Sequence, residues 1–178
     1  MKLRLICSAL LALAAASAAI ADSTDAALDH ANQLRQAHHL AEAQAIISPI
    51  LARDPNNFRA IYDEALVQGD QGAVASAIVT LNRAINSLHG AVAPDVTIYN
   101  TLGWYLMQTG DYKDAEHWFS VAYSNRGAMK SPSLQKLLNN MGTLYALEGN
   151  RSAATRYFNE AATAGSPSAN ANLTKLIG

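Results

Sequence analysis

Five histidines, one cysteine and two asparagines in glycosylation-type triplets are the residues of this chain whose types could do chemistry. His38 and His39 are adjacent, His117 lies beside Trp118, and His30 and His89 are isolated. A zinc site or a metal-activated base needs histidines one helical turn apart, or a histidine with Cys or carboxylate at ligand spacing. No HExxH, paired Cys or His-carboxylate pair of that kind occurs, so these histidines read as solvated turn and surface residues. A phosphate cradle or a nucleophile elbow would need a P-loop, GxGxxG or GxSxG, and none is present. "NRS" at Asn150 and "NLT" at Asn172 match the sequon, but a three-residue pattern carries little weight. The expectation is a protein that is not an enzyme and that needs neither metal nor cofactor.

The cysteine belongs to a segment with a different task. Residues 1–21, "MKLRLICSALLALAAASAAIA", start with Lys2 and Arg4, continue as an apolar run and end in Ala19-Ile20-Ala21. That is the three-part layout of a secretory signal peptide, with cleavage expected after Ala21. An uncleaved anchor is the alternative, since the run comes close to bilayer-spanning length. Cys7 precedes the apolar run, which is the wrong place for lipoprotein acylation, and it departs with the signal. Cleavage lowers the Lys and Arg count from 13 to 11 against 14 acids, leaving a net charge near −3 with no basic cluster. Nucleic acid and anionic membrane surfaces are therefore not expected partners. Membrane contact is expected only through an uncleaved signal, and the location periplasmic or secreted.

The elements that follow are set by a repeat. Ala43, Ala77, Ala115 and Ala154 recur at spacings of 34, 38 and 39 residues. Each is followed four positions later by a large apolar residue (Ile47, Leu81, Phe119, Phe158) and preceded at twelve by a small one (Ala31, Ala65, Gly103, Gly142). Each unit reads as two antiparallel helices. Tyr99, Leu102, Gly103 and Leu106 follow the i, i+3, i+4, i+7 rule of one helix face. "TGDY" then breaks the helix, Gly110 taking the left-handed conformation and Asp111 capping the next helix. A glycine inside a helix costs roughly 1 kcal/mol against alanine. Its place at 103 implies a close helix crossing, which the spacing puts opposite Ala115. Glu64 and Gln68 occupy apolar positions of the second unit, so an irregular edge is expected there. The longer spacings fall in "SLHGAVAPD" (87–95) and "NRGAMKSPS" (125–133), with Pro94 and Pro132 expected in the first turn of the helix after each. Ser166, Pro167, Ala169, Leu173 and Leu176 predict a terminal capping helix over 167–177.

The sequence of aromatic, Leu-Gly, Leu, Gly-Asp-Tyr, Ala, Phe and Ala through Tyr99, Leu102, Gly103, Leu106, Gly110, Asp111, Tyr112, Ala115, Phe119 and Ala122 resembles the tetratricopeptide repeat (TPR). "RDPNN", with Pro55, matches the family's closing position in the first unit. The resemblance implies an all-α fold: a right-handed superhelix of about four repeats (24–57, 58–91, 96–129 and 135–166) and a capping helix, together the domain at 22–178. It also implies that the first helices line a concave face, which here would present Asn32, Arg35, Arg59, Tyr62, Asp63, Asn100, Trp104, Lys136, Asn139 and Asn140. The Asn amides would grip an extended peptide backbone, and Trp104 would supply an aromatic anchor.

By the same resemblance the chain is expected to be an adaptor or scaffold for a polypeptide partner. It is similar to small exported TPR proteins that serve envelope machines, including assembly of Flp-type and type IV pili, an analogy of fold and not of a site. A self-assembling array, with weak self-association, and a regulatory partner for an envelope enzyme such as a peptidoglycan hydrolase stand as alternatives. If the signal is cleaved, N-terminal sequencing of protein from its native host should start at Asp22, and the denatured protein should not react with thiol reagents. An intact Met1 on membrane-bound protein would establish the anchor instead.

Overall fold

The computed structural model describes residues 23–177; the expected signal, the expected cleavage site and Cys7 lie outside them. All regular structure among the described residues is helical, and none of these helices is long and apolar enough to cross a membrane. The chain forms two compact units that divide between Ala73 and Val74.

The first unit contains α1 (residues 23–36), α2 (Leu40–Arg53) and α3 (Phe58–Asp70). Its core joins Leu28 and Ala31 of α1, Ala43, Ile47 and Ile50 of α2, and Ala60 and Val67 of α3. Three small alanines in that set let the helices approach while the branched residues fill the space between them. Asn57 starts α3 by accepting a hydrogen bond from the Ala60 N–H at 3.0 Å, a side-chain cap. The turn before α2 carries His38 at φ 61°, the left-handed conformation that Gly110 takes at φ 85° in the corresponding turn of the second unit. A side chain there costs roughly 1–2 kcal/mol, so the first hairpin is closed against a local preference. The first helix of the second repeat is regular. α3 runs unbroken through Glu64 and Gln68, and both side chains engage neighbours, which makes their polarity tolerable at half-buried positions.

The second unit contains α4 (Val74–Asn86), α5 (Thr97–Gln108), α6 (Tyr112–Ser124), a 3-10 turn at Arg126–Ala128, α7 (Ser131–Leu147), α8 (Arg151–Thr163) and α9 (Pro167–Ile177). α5 packs on α6 and α7 on α8, while α9 covers α8. Asp111 and Asn150 cap α6 and α8 by accepting from the N–H groups of Asp114 at 3.4 Å and Ala153 at 3.1 Å. Pro132 lies in the first turn of α7. Pro94 does not start α5: that helix begins at Thr97, whose N–H and hydroxyl both donate to Asp95 Oδ1, at 2.9 and 2.7 Å. The side-chain acceptor of Asp95 sets the boundary three residues beyond the proline.

Gly103 and Gly142 are the contact points of the two hairpins. A Cβ on Gly103 would lie 2.7 Å from Cδ1 and Cε1 of Phe119, and a Cβ on Gly142 would lie 2.5 and 2.6 Å from the same atoms of Phe158. The atoms nearest a Cβ at Gly103 are thus those of the Phe119 ring, which reaches across the crossing onto the bare backbone. Phe119 is fully buried, so the ring has no route of escape.

Tyrosines join the hairpins to each other. Tyr145 on α7 donates to Glu116 on α6 at 2.6 Å and stacks on Tyr157 of α8 with centroids 5.4 Å apart. Tyr123 on α6 donates to Glu160 on α8 at 3.0 Å. Burial, then the hydrogen bond and charge of the paired glutamate, pushes both phenols above the ordinary tyrosine range. Both remain neutral donors at physiological pH.

Gly103→Leu would drive a branched side chain into the Phe119 ring, whereas Gln108→Leu changes an exposed position. Overpacking costs roughly 1–3 kcal/mol or more, and exposed changes stay within about 0.5 kcal/mol. Urea denaturation should show a clear loss for the first and almost none for the second. Equal midpoints for Gly103→Leu and the unaltered protein would contradict the crossing.

Candidate functional site

The residues expected on one face fall into two groups, one in each unit. In the first unit they are committed to one another. Arg59 on α3 reaches back to α1, donating to Asp25 at 3.3 Å and to Asp29 in a shorter bond, with Asp63 one turn along its own helix at 4.0 Å. Burial opposes the Arg59 charge, but the Asp29 hydrogen bond and the charges of Asp29, Asp63 and Asp25 outweigh it and raise the guanidinium's already high pKa. Arg35 on α1 donates to Asn32 at 3.0 and 3.2 Å and to Asp70 of α3 at 2.6 Å. Tyr62 also has a neighbour to bind. Here Asn32, Arg35, Arg59 and Asp63 form an ionic seam between α1 and α3. Each exposed pair within it contributes at most about 1 kcal/mol.

In the second unit the amides form a ladder. Asn140 on α7 donates through Nδ2 to Asn100 Oδ1 on α5 at 3.0 Å, and Asn172 on α9 donates to Asn139 Oδ1 on α7 at 2.8 Å. Three helices that are first in their hairpins, or that cap the array, are therefore linked side by side through half-buried amides. Each amide spends one of its two groups. The carbonyl oxygens of Asn140 and Asn172 and the NH₂ groups of Asn100 and Asn139 keep their capacity for an outside partner. Trp104, one turn beyond Asn100 on α5, is 39% exposed and is the large aromatic of this face that stands open to solvent. Lys136 is exposed one turn before Asn139 and Asn140.

The remaining sequence candidates have structural occupations. Asn150 caps α8, and Asn172 belongs to the ladder. A His-carboxylate pair at helical spacing does occur, contrary to the sequence expectation: His39 meets Glu42 one turn along α2 at 2.7 Å, while His117 lies edge-on to Trp118, which stacks on Tyr99. Among the described residues no three His, Cys, Asp or Glu side chains gather where they could hold a metal ion. Sequence reasoning picked Asn100, Asn139 and Asn140 but missed Asn172 and the pairing. Asn172 is four residues beyond Ser168 in a helix read only for its apolar face, and its bond to Asn139 spans 33 residues.

No protein-family profile and no curated protein sequence matches the chain. Solved structures do. PilF of Pseudomonas aeruginosa superposes with a TM-score of 0.77 at 17% identity, over 88% of this chain and 68% of that one. The TPR-like repeats of a putative kinesin light chain from Podospora anserina give 0.70 at 14% identity, over 85% and 84%. YrrB, described as a TPR protein with an unusual peptide-binding site, gives 0.50 at 17% identity, over 78% and 84%. This chain has the tetratricopeptide-repeat fold.

If the amides work as a ladder, Asn140→Ala should cost about 0.5–1.5 kcal/mol, the worth of one partly buried hydrogen bond. Adding Asn100→Ala should then cost little more, and urea denaturation of the two single variants and the double measures this. Strictly additive losses would mean that the two amides do not interact.

Proposed function

We propose that this chain is an exported, non-enzymatic adaptor of the cell envelope that binds an extended polypeptide along α5, α7 and α9. The observation that carries the reading is the amide ladder beside Trp104. Its unspent donors and acceptors match the alternating C=O and N–H groups of a peptide backbone, and the exposed indole offers an apolar side chain a place to bury itself. The side-to-side bonds hold the amides in position before a partner arrives, which lowers the ordering cost of binding. The described peptide-binding site of YrrB supports a polypeptide as the class of partner. The leader at residues 1–21 supports export to the periplasm, and assembly of pili or of a secretion machine is the setting we favour. The ionic seam of the first unit is not assigned to binding, since Asn32, Arg35, Arg59 and Asp63 are held by contacts within the chain.

Affinity capture from the native envelope fraction tests this. Truncating an aromatic anchor costs about 2 kcal/mol or more, so Trp104→Ala with Asn100→Ala should weaken capture at least tenfold while helicity persists. Glu116 holds Tyr145 and cannot serve as a neutral control. Lys113→Ala with Ser152→Ala, at exposed positions on the second helices, should change little. Loss of capture with that outer pair and not with the inner pair would refute the assignment and favour a platform or self-assembling role.

A further inference from the structure

A second surface lies between α6 and α8, away from the amide ladder. A groove of about 550 Å³ opens there, floored by Leu134 and Leu138 of α7 and edged by Tyr123, Arg126, Arg156 and Glu160. The two arginines are held in place by aromatic rings. Arg126 has its guanidinium carbon 4.0 Å from the Tyr123 ring centroid and donates to the Tyr123 carbonyl at 2.8 Å, and Arg156 lies 4.4 Å from the Tyr157 centroid. Among the described residues neither has a carboxylate within 4.0 Å. Glu160, the acid of the groove, already accepts the Tyr123 hydroxyl.

A guanidinium stacked on a ring still points its edge N–H groups outward, in the fork that matches a carboxylate. Stacking also removes much of the rotamer freedom that binding would otherwise have to remove. Two such forks flank an apolar floor, so the groove is locally positive in a chain whose formal net charge is −1. We propose that this groove is a second polypeptide site, taking a short acidic segment whose carboxylates meet Arg126 and Arg156 and whose apolar side chain rests on Leu134 and Leu138. The leucine floor favours this occupant over a polyphosphate backbone, which has no apolar group to bury. The site shares no residue with the α5–α7–α9 face and does not depend on that face's assignment.

The test is fluorescence anisotropy of a labelled six-residue peptide alternating Glu and Leu, titrated with the protein. Saturable binding that weakens as NaCl is raised is expected, with the Gln–Leu peptide at least tenfold weaker and the Lys–Leu peptide not bound. Arg126→Gln with Arg156→Gln, both exposed, should lose at least tenfold, whereas Trp104→Ala with Asn100→Ala should stay within twofold. No saturable binding, equal binding of the Gln–Leu or Lys–Leu peptide, or undiminished binding by the arginine double variant would overturn the proposal. Loss of binding with the Trp104 and Asn100 pair would also overturn it, by placing the peptide on the other face. The peptide comparisons need no variant, so failure of the acidic preference overturns the proposal even if the arginine variant folds poorly.

Discussion

The Phe119 ring can approach the backbone of α5 so closely only because Gly103 has no side chain, and Phe158 stands in the same relation to Gly142. This close approach is the constraint on which the second unit rests. It brings each pair of helices near enough for the neighbouring Leu, Met and Ala side chains to close the core around the ring. The repeats treat it as one volume to be filled. Where the inserted residue is Phe the facing one is Gly; in the first unit the smaller Ile47 stands with Ala31 in one core. A larger knob is matched by a smaller seat, as dense packing requires.

Once the hairpins are set, polar contacts fix how they stand beside each other. The ladder of Asn100 to Asn140 and Asn139 to Asn172 does this on one face. Tyr145 to Glu116 and Tyr123 to Glu160 do it between the remaining helices. Such bonds add only modestly to stability, but a half-buried amide left without a partner is costly, so they are strong determinants of register. The same contacts shape both proposed surfaces: amides and an indole on one, and arginines beside tyrosine rings on the other.

The sequence made the helical hairpins plain because they depend on local signals. Gly110 with Asp111 is turn and cap chemistry readable within a few residues. The seat at Gly103 is also legible, but the ring that fills it, Phe119, lies one helical turn beyond the Ala115 that spacing puts opposite. Spacing identifies which residues share a face, and it does not say how far a ring extends across the crossing. Pro94 misled because Asp95, the next residue, supplies a stronger helix start. The ionic seam and the amide ladder join residues about 30 to 40 apart, and no periodicity within one helix reports such pairs. The groove between α6 and α8 was invisible for the same reason. Arg126 and Arg156 belong to no repeated position and meet only through the packing of two hairpins.

The most direct measurement is a double-mutant cycle at the crossing, using Gly103→Ala, Phe119→Leu and their combination, followed by urea denaturation. In the unaltered background the new methyl group meets the ring, so Gly103→Ala should destabilise by about 1–3 kcal/mol despite alanine's better helix propensity. With leucine at 119 the seat is free, and the same change should become neutral or stabilising, approaching the roughly 1 kcal/mol by which alanine exceeds glycine in a helix. A coupling energy of about 1 kcal/mol or more is the predicted result. An identical effect of Gly103→Ala in both backgrounds would contradict the account, because the glycine would then not be there for the ring.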